Sequence, residues 1–205
     1  MKFVSERSAG ETPPSHRYTI DGNPEAEHRV TADQALIARR VEETVPSAHF
    51  ESLVLMGGYG RGEGGYLFRD GEPGPYNDYD YFLVFRGLGR SGIRAIAPTI
   101  ETLAHELTER VGVEVDLALI GVETLQRAPF NLMNAEMLWG HRVVAGNPDV
   151  LSEMPRMPFH ELAPGEFTRL MNNRGSLLLM NALRLATGGP VRDDERDVFF
   201  KYLFK

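Results

Sequence analysis

The stretch LVLMGGYGRGEGG at residues 53–65, followed by NDYDYFLVF at residues 77–85, decides the fold of this chain. An apolar run of strand length ends in paired glycines, and a second apolar run begins directly after an Asp-x-Asp pair. Asp78 and Asp80 are two residues apart at the start of a strand, so their side chains emerge on the same face. The pattern predicts two buried strands separated by a glycine turn and two carboxylates.

Helical patterns flank these strands. Thr31 is a typical N-cap for a helix that Pro46 closes, and residues 93–110 form a second amphipathic pattern that ends at Gly112. Residues 113–120 are a third apolar run of strand length. The order helix, strand, glycine turn, strand, helix, strand predicts an α/β-layered fold with few strands.

The chain divides by composition into three parts. Residues 1–30 lack apolar periodicity and are expected to form a loosely packed arm, followed by a main domain at 31–150 and a helical region at 151–205, which is incomplete if its packing partners lie elsewhere. That region contains a strong helical pattern at 166–186 and a final helix from about Val191. The apolar cluster in this final helix either contacts a partner or second subunit, or packs on the chain's own core.

Composition excludes several classes of protein. With 42% hydrophobic and 25% charged residues in 205, the chain is typical of globular proteins. The absence of cysteine excludes disulfides and thiolate metal sites. Without a membrane-span or signal-peptide pattern we expect a cytoplasmic protein that does not bind membranes, and the net charge of −7 argues against a long nucleic-acid partner.

A third acid lies in the next predicted strand. Asp116 sits inside an apolar run, where a carboxylate is costly unless it is paired or binds metal. Neighbouring carboxylates about 5 Å apart repel by roughly 3 kcal/mol, so Asp78, Asp80 and Asp116 together favour a bound cation such as Mg²⁺. The alternative is that the Asp-x-Asp pair arises by chance, with Asn77 and Asp78 forming a turn.

The glycine segment at residues 57–65 can bind an anion. Glycines let the backbone approach a phosphate closely, and Arg61 could reach a phosphate oxygen. The spacing matches neither the dinucleotide-binding nor the P-loop motif. Glu63 is better placed to cap the turn or pair with Arg61 than to perform chemistry, and an ordinary glycine loop is the alternative interpretation.

This ordered set of motifs resembles the nucleotidyltransferase superfamily that includes DNA polymerase β. The string GGYGRGE is especially similar to the turn of the bacterial enzymes that uridylylate PII signal proteins, and the resemblance spans residues 53–120, about a third of the chain. It implies an α+β fold in which a small mixed sheet with helices precedes a C-terminal helical region. It also implies a cytoplasmic transferase that binds ATP or another nucleoside triphosphate (NTP).

The resemblance assigns roles to individual residues. Gly57 and Gly58 would bind the triphosphate, with Arg61 nearby, while Asp78, Asp80 and Asp116 would hold two Mg²⁺ ions, for which Mn²⁺ can substitute. These acids would be the catalytic residues for transfer of a nucleoside monophosphate to a hydroxyl or amine of a small-molecule or protein acceptor, with release of pyrophosphate.

Two departures accompany the resemblance. Gly58 occupies a position where many members carry a phosphate-binding serine, and residues 66–76 form an insertion that could act as a lid or contact substrate. The alternative function is a non-catalytic nucleotide- or partner-binding module of the same fold, regulatory or antitoxin-like.

Overall fold

The computed structural model describes residues 17–69 and 71–187. The helices in these residues are α1 (Pro24–Thr44), α2 (Gly57–Arg61), α3 (Arg90–Val111), α4 (Val122–Leu125), α5 (Leu132–Trp139) and α6 (Pro164–Ala186). The strands are β1 (Phe50–Leu55), β2 (Tyr66–Arg69), β3 (Glu72–Pro75), β4 (Tyr79–Phe85), β5 (Val115–Gly121) and β6 (Arg142–Gly146). Short 3₁₀ helices lie at Val150–Glu153 and Phe159–Glu161.

The central sheet has the order β5-β4-β1-β6. β4 and β5 are parallel, whereas β1 is antiparallel to both of its neighbours. A parallel pair requires a crossover connection, which α3 supplies. The predicted α+β class with a small mixed sheet is therefore confirmed.

The hydrophobic core lies on one face of this sheet. α1 and α3 contribute stripes of buried side chains, and the strands contribute every second residue, as the two periodicities require. The fully buried members are Val30, Ile37, Val41, Leu53, Leu55, Tyr79, Leu83, Phe85 and Leu107.

α1 begins earlier than the sequence pattern predicted. Asn23, rather than Thr31, is the N-cap, and its side chain accepts hydrogen bonds from the backbone N–H groups of Glu25 and Ala26. Pro24 occupies the first turn, where its missing N–H costs nothing. The predicted arm at residues 1–30 is thus helical from Pro24 onward, and residues 1–16 lie outside the described part.

The other predicted elements are found with shifted ends. α3 ends at Gly112, which adopts the left-handed conformation expected of a C-cap. The glycine turn is a short helix, α2, rather than a tight turn. The 66–76 insertion forms an antiparallel hairpin of β2 and β3, and β6 is a strand that the sequence analysis missed.

The chain splits into two compact units, Met1–Met157 and Pro158–Lys205. The sheet and α1–α5 belong to the first unit. α6 belongs to the second and confirms the helix predicted at residues 166–186. The final helix expected from about Val191 lies outside the described residues. None of the helices in the described ranges has the length and apolar character that a bilayer crossing requires.

Candidate functional site

β4 and β5 place two of the predicted acids side by side. Asp80 is the register partner of Asp116, as Tyr79 is of Val115. Tyr79 and Val115 are buried in the core, and side chains alternate along a strand, so Asp80 and Asp116 lie on the opposite face of the sheet. Asp80 is half-buried and Asp116 is exposed. The backbone therefore sets these two carboxylates on neighbouring strands at the same level.

The third predicted acid lies just outside the sheet. Asp78 directly precedes β4 and is half-buried, and pairing of β4 with β5 starts one residue later, where Tyr79 N–H donates to Glu114 O at 2.9 Å. Within residues 17–69 and 71–187, no three or more His, Asp or Glu side chains are gathered into a group that could hold a metal ion. Asp78, Asp80 and Asp116 thus share one region without forming a preassembled centre.

Gly57 lies against the Asp80 carboxylate. A Cβ placed on Gly57 would be 2.7 Å from Asp80 Oδ2, and Gly57 has a φ of +61°. A backbone hydrogen bond also joins the two segments, because Met56 N–H donates to Asp80 O at 2.8 Å. Only glycine adopts the positive φ at this position without strain, and only glycine has no Cβ to overlap the Asp80 carboxylate. Gly57 of the glycine segment and Asp80 of the Asp-x-Asp pair, 23 residues apart in the sequence, are therefore in direct contact.

Arg61 forms the ion pair that the sequence predicted. Its Nε donates to Glu63 Oε2 at 2.9 Å, and about a quarter of the Arg61 side chain is exposed. Gly140 makes room for this arginine, since a Cβ on Gly140 would overlap Arg61 Cγ. The arginine at the end of α2 is held in place from two directions.

Tyr59 fastens the rest of the glycine segment to the core. Its hydroxyl donates to Gly65 O at 2.5 Å and accepts from Tyr76 N–H at 3.2 Å, so it joins both ends of the β2–β3 hairpin. Its ring packs edge-on against Tyr79 at 4.7 Å and fills the space beside Gly64. Burial raises the pKa of the Tyr59 hydroxyl, which stays neutral. The segment is a packed element rather than an ordinary glycine loop.

Tyr79 continues this network to a buried acid. Its hydroxyl donates to Asp33 Oδ2 at 3.0 Å, and the Asp33 carboxylate also accepts from Arg29 Nε at 3.1 Å. Asp33 is 5% exposed, and burial raises its pKa although Arg29 and Tyr79 oppose the rise. Sequence analysis missed this carboxylate, although an acid within the apolar stripe of a predicted helix is a usable signal.

The end of the predicted arm also reaches the glycine segment. Gly64 N–H donates to Tyr18 O at 2.9 Å, and Ile20 N–H donates to Gly64 O at 3.2 Å. The Glu27 carboxylate accepts from the N–H groups of Tyr18 and Thr19 and from the Thr19 hydroxyl. The expectation of a loosely packed arm is therefore wrong for these residues, because a side chain of α1 anchors them.

Arg142 completes this side of the site. Its guanidinium lies 3.9 Å from the centre of the Tyr18 ring and donates to Arg17 O at 2.8 Å. A guanidinium stacked on an aromatic ring is held in a fixed orientation. Nothing in the sequence near Arg142 indicated this contact, which spans most of the first unit.

Comparisons with known proteins add little to this geometry. No protein-family model matches the chain, and no curated protein matches it. One solved structure with a related arrangement is titled the toxin-antitoxin MntA-HepT, and the aligned chain shares 10% sequence identity at a TM-score of 0.38. The alignment covers 72% of this chain and 94% of that chain. A likeness of this size carries no conclusion about activity or partners.

Proposed function

We propose that this protein is a magnesium-dependent nucleotidyltransferase, which moves a nucleoside monophosphate from an NTP to a hydroxyl or amine acceptor. The observation that carries the proposal is the direct contact of Gly57 with the carboxylate of Asp80, whose register partner on the next strand is Asp116. A backbone able to approach phosphate closely then adjoins carboxylates able to hold the accompanying cation.

The donor set fits magnesium in its chemistry. Carboxylate oxygens are the ligands that Mg²⁺ prefers, and Asp80 of β4, Asp116 of β5 and Asp78 directly before β4 can supply them. When bound, Mg²⁺ (or Mn²⁺ in its place) neutralises the carboxylates and the triphosphate and stabilises charge on the leaving pyrophosphate. In this proposal the three side chains come together on binding.

The remaining roles are those that the resemblance implies. Gly57 and Gly58 bring backbone N–H groups to the triphosphate, and Arg61 exchanges Glu63 for a phosphate oxygen. Asp116 takes the proton from the acceptor hydroxyl or amine. The acceptor atom forms a bond to the α-phosphorus as the bond from that phosphorus to the bridging oxygen breaks, and pyrophosphate leaves.

Pyrophosphate release tests this proposal. The full chain is incubated with each of the four NTPs, Mg²⁺ and cell extract as acceptor source, beside the Asp80→Asn and Asp116→Asn variants. Asp149→Asn is the matched control, because Asp149 is exposed and lies outside the region of the three acids. We expect release by the wild type and control, and a loss of at least about 100-fold in both site variants. Equal turnover in all four proteins would contradict the assignment.

A non-catalytic nucleotide-binding module is the second candidate. The observation that favours it is the absence, within the described residues, of three gathered metal-binding side chains. Calorimetry distinguishes the two functions: a module of this kind binds NTP but releases no pyrophosphate with any acceptor fraction. If the Asp80→Asn variant no longer binds NTP, that loss would still support a nucleotide site beside Gly57.

A further inference from the structure

α6 carries seven large exposed apolar side chains, most of them on one side of the helix. They are Phe167, Met171, Leu178, Leu179, Met180, Leu183 and Leu185. Monomeric proteins seldom expose contiguous apolar patches of more than a few hundred Å², and larger patches mark interaction sites. This face therefore requires an occupant.

Three of these side chains are regularly spaced. Met171, Leu178 and Leu185 are seven residues apart and 68%, 49% and 62% exposed, respectively. Seven residues are close to two helical turns, so these three side chains form one row along the helix. A row of this kind is typical of a surface on which a second helix packs.

A parallel row of small residues lies beside it. Thr168, Gly175 and Ala182 are also seven residues apart, and all three are exposed. A Cβ added to Gly175 would meet no atom within 4 Å, so the middle of this row is an open notch. We call the two rows together the α6 seam.

We propose that a second copy of this chain covers the α6 seam, with the two α6 helices antiparallel about a two-fold axis. In antiparallel helix pairs, each row of one helix faces the other row of its partner. With the axis between residues 176 and 177, Leu178 of each copy enters the notch at Gly175 of the other. The same axis sets the outer bulky residues against small ones: Met171 against Ala182, and Leu185 against Thr168.

The α6 seam is self-complementary in a way that a two-fold interface requires, because one surface must serve as both partners. All three facing pairs combine a large side chain with a small one. The arginines of α6 fall in neither row, and Arg169 is paired with Glu166 at 3.2 Å. The two rows themselves contain no charged residue.

The available area suits a stable dimer. A large apolar residue has an accessible area of roughly 200 Å². Met171, Leu178 and Leu185 of the α6 seam, with Phe167 and Leu179 beside it, have exposed fractions of 45–69% that correspond to roughly 600 Å² per copy. Two copies would bury roughly 1,200 Å², at the lower end of the range of about 1,200–2,000 Å² for specific interfaces.

Sedimentation velocity of the full chain over a range of concentrations tests the dimer. The wild type should move from the mass of one 22.9 kDa chain towards twice that mass. Gly175→Leu should raise the dissociation constant by at least about tenfold, because the added side chain meets Leu178 of the second copy twice. The variant still folds, since the notch is open in one copy and leucine favours helix.

Two further variants make the test specific. Adding Leu178→Ala to Gly175→Leu exchanges large for small within the same pair and should restore the dimer. Met180→Ala removes an exposed apolar side chain outside the α6 seam and should leave the dissociation constant unchanged. A wild type that is monomeric at every concentration, a Gly175→Leu variant that dimerises normally, or a double variant without rescue would each overturn the proposal.

Discussion

The carboxylate of Asp80 and the Cα of Gly57 are in contact, so tightly that a methyl group on Gly57 would come within 2.7 Å of Oδ2. Gly57 also requires a left-handed backbone, with φ at +61°. The two residues belong to different motifs of the sequence and meet because Met56 is hydrogen-bonded to the backbone of Asp80. The position of the carboxylate therefore depends on the absence of a side chain at residue 57.

Replacing Gly57 by alanine should displace Asp80 and destabilise the first unit. We expect the free energy of unfolding to fall by about 2–4 kcal/mol, from left-handed strain and from overlap with the carboxylate. Urea unfolding followed by the fluorescence of Trp139 measures it. Gly87→Ala is the matched control, because Gly87 has a φ of +67° but nothing within 4 Å of an added Cβ. A loss no greater than that of Gly87→Ala would contradict the contact.

Replacing Tyr59 by phenylalanine should loosen the base of the β2–β3 hairpin. The change removes a donor to Gly65 O and one of the two acceptors of Tyr76 N–H, which also donates to Gly65 O at 3.0 Å. We expect a loss of about 1–3 kcal/mol in the free energy of unfolding. Hydrogen exchange should accelerate at the Tyr76 amide, while the amide of Phe82, inside the sheet, keeps its protection relative to global unfolding. Unchanged exchange at Tyr76 would argue against this role.

Replacing Glu27 by glutamine should release the segment around Tyr18. Its carboxylate accepts hydrogen bonds from two backbone N–H groups and from the Thr19 hydroxyl, and charge strengthens such bonds. Amide exchange at Tyr18 and Thr19 should become faster by roughly tenfold, or about 1.4 kcal/mol. Glu25→Gln is the control, since Glu25 lies in the same helical turn and its carboxylate is exposed. Equal effects of both variants would show that helix electrostatics, not anchoring, is responsible.

The buried Asp33 should make stability depend on pH. Its pKa in the folded protein is raised above the ordinary value of 3.8, chiefly by burial. The folded state therefore binds this proton more tightly than the unfolded state does, and stability from this group is lost as pH rises through the folded pKa.

Comparison with Asp33→Asn isolates that dependence. The free energy of unfolding of the variant, minus that of the wild type, should increase as pH rises above about 3.8 and level off above the folded pKa. A series of urea unfolding curves from pH 3 to 8 measures this difference. A difference that decreases with pH would mean that Arg29 and Tyr79 outweigh burial.

The predictable parts of the fold were those with strong local signals. The apolar runs located β1, β4 and β5, and Gly112 marked the end of α3 with its left-handed conformation. β3 was missed because its sequence, EPGP, contains two prolines and a glycine, which rarely occur in strands. Its pairing with β2 depends on the hairpin and on packing against α1.

The adjacency of Asp80 and Asp116 was predictable, whereas the surroundings of these two acids were not. An Asp-x-Asp pair leading one strand and an acid in the next indicated the adjacency of Asp80 and Asp116. The anchoring of Tyr18 by Glu27 and the stacking of Arg142 on Tyr18 have no local signal, because they join distant segments through single side chains. The early start of α1 is set by Asn23 and Pro24, a cap that the sequence analysis did not consider.

The pairing of Asp80 with Asp116 also protects the sheet from misalignment. In a strand, side chains alternate faces, so sliding β5 by one residue would carry Asp116 into the core beside Tyr79 and push Val115 and Leu117 towards water. Burying an unpaired carboxylate costs several kcal/mol. Asp80 and Asp116, to which we assign chemistry, thus also favour the correct register of β4 and β5 during folding. A neutral residue in place of Asp116 would remove the free-energy cost that disfavours the slipped register.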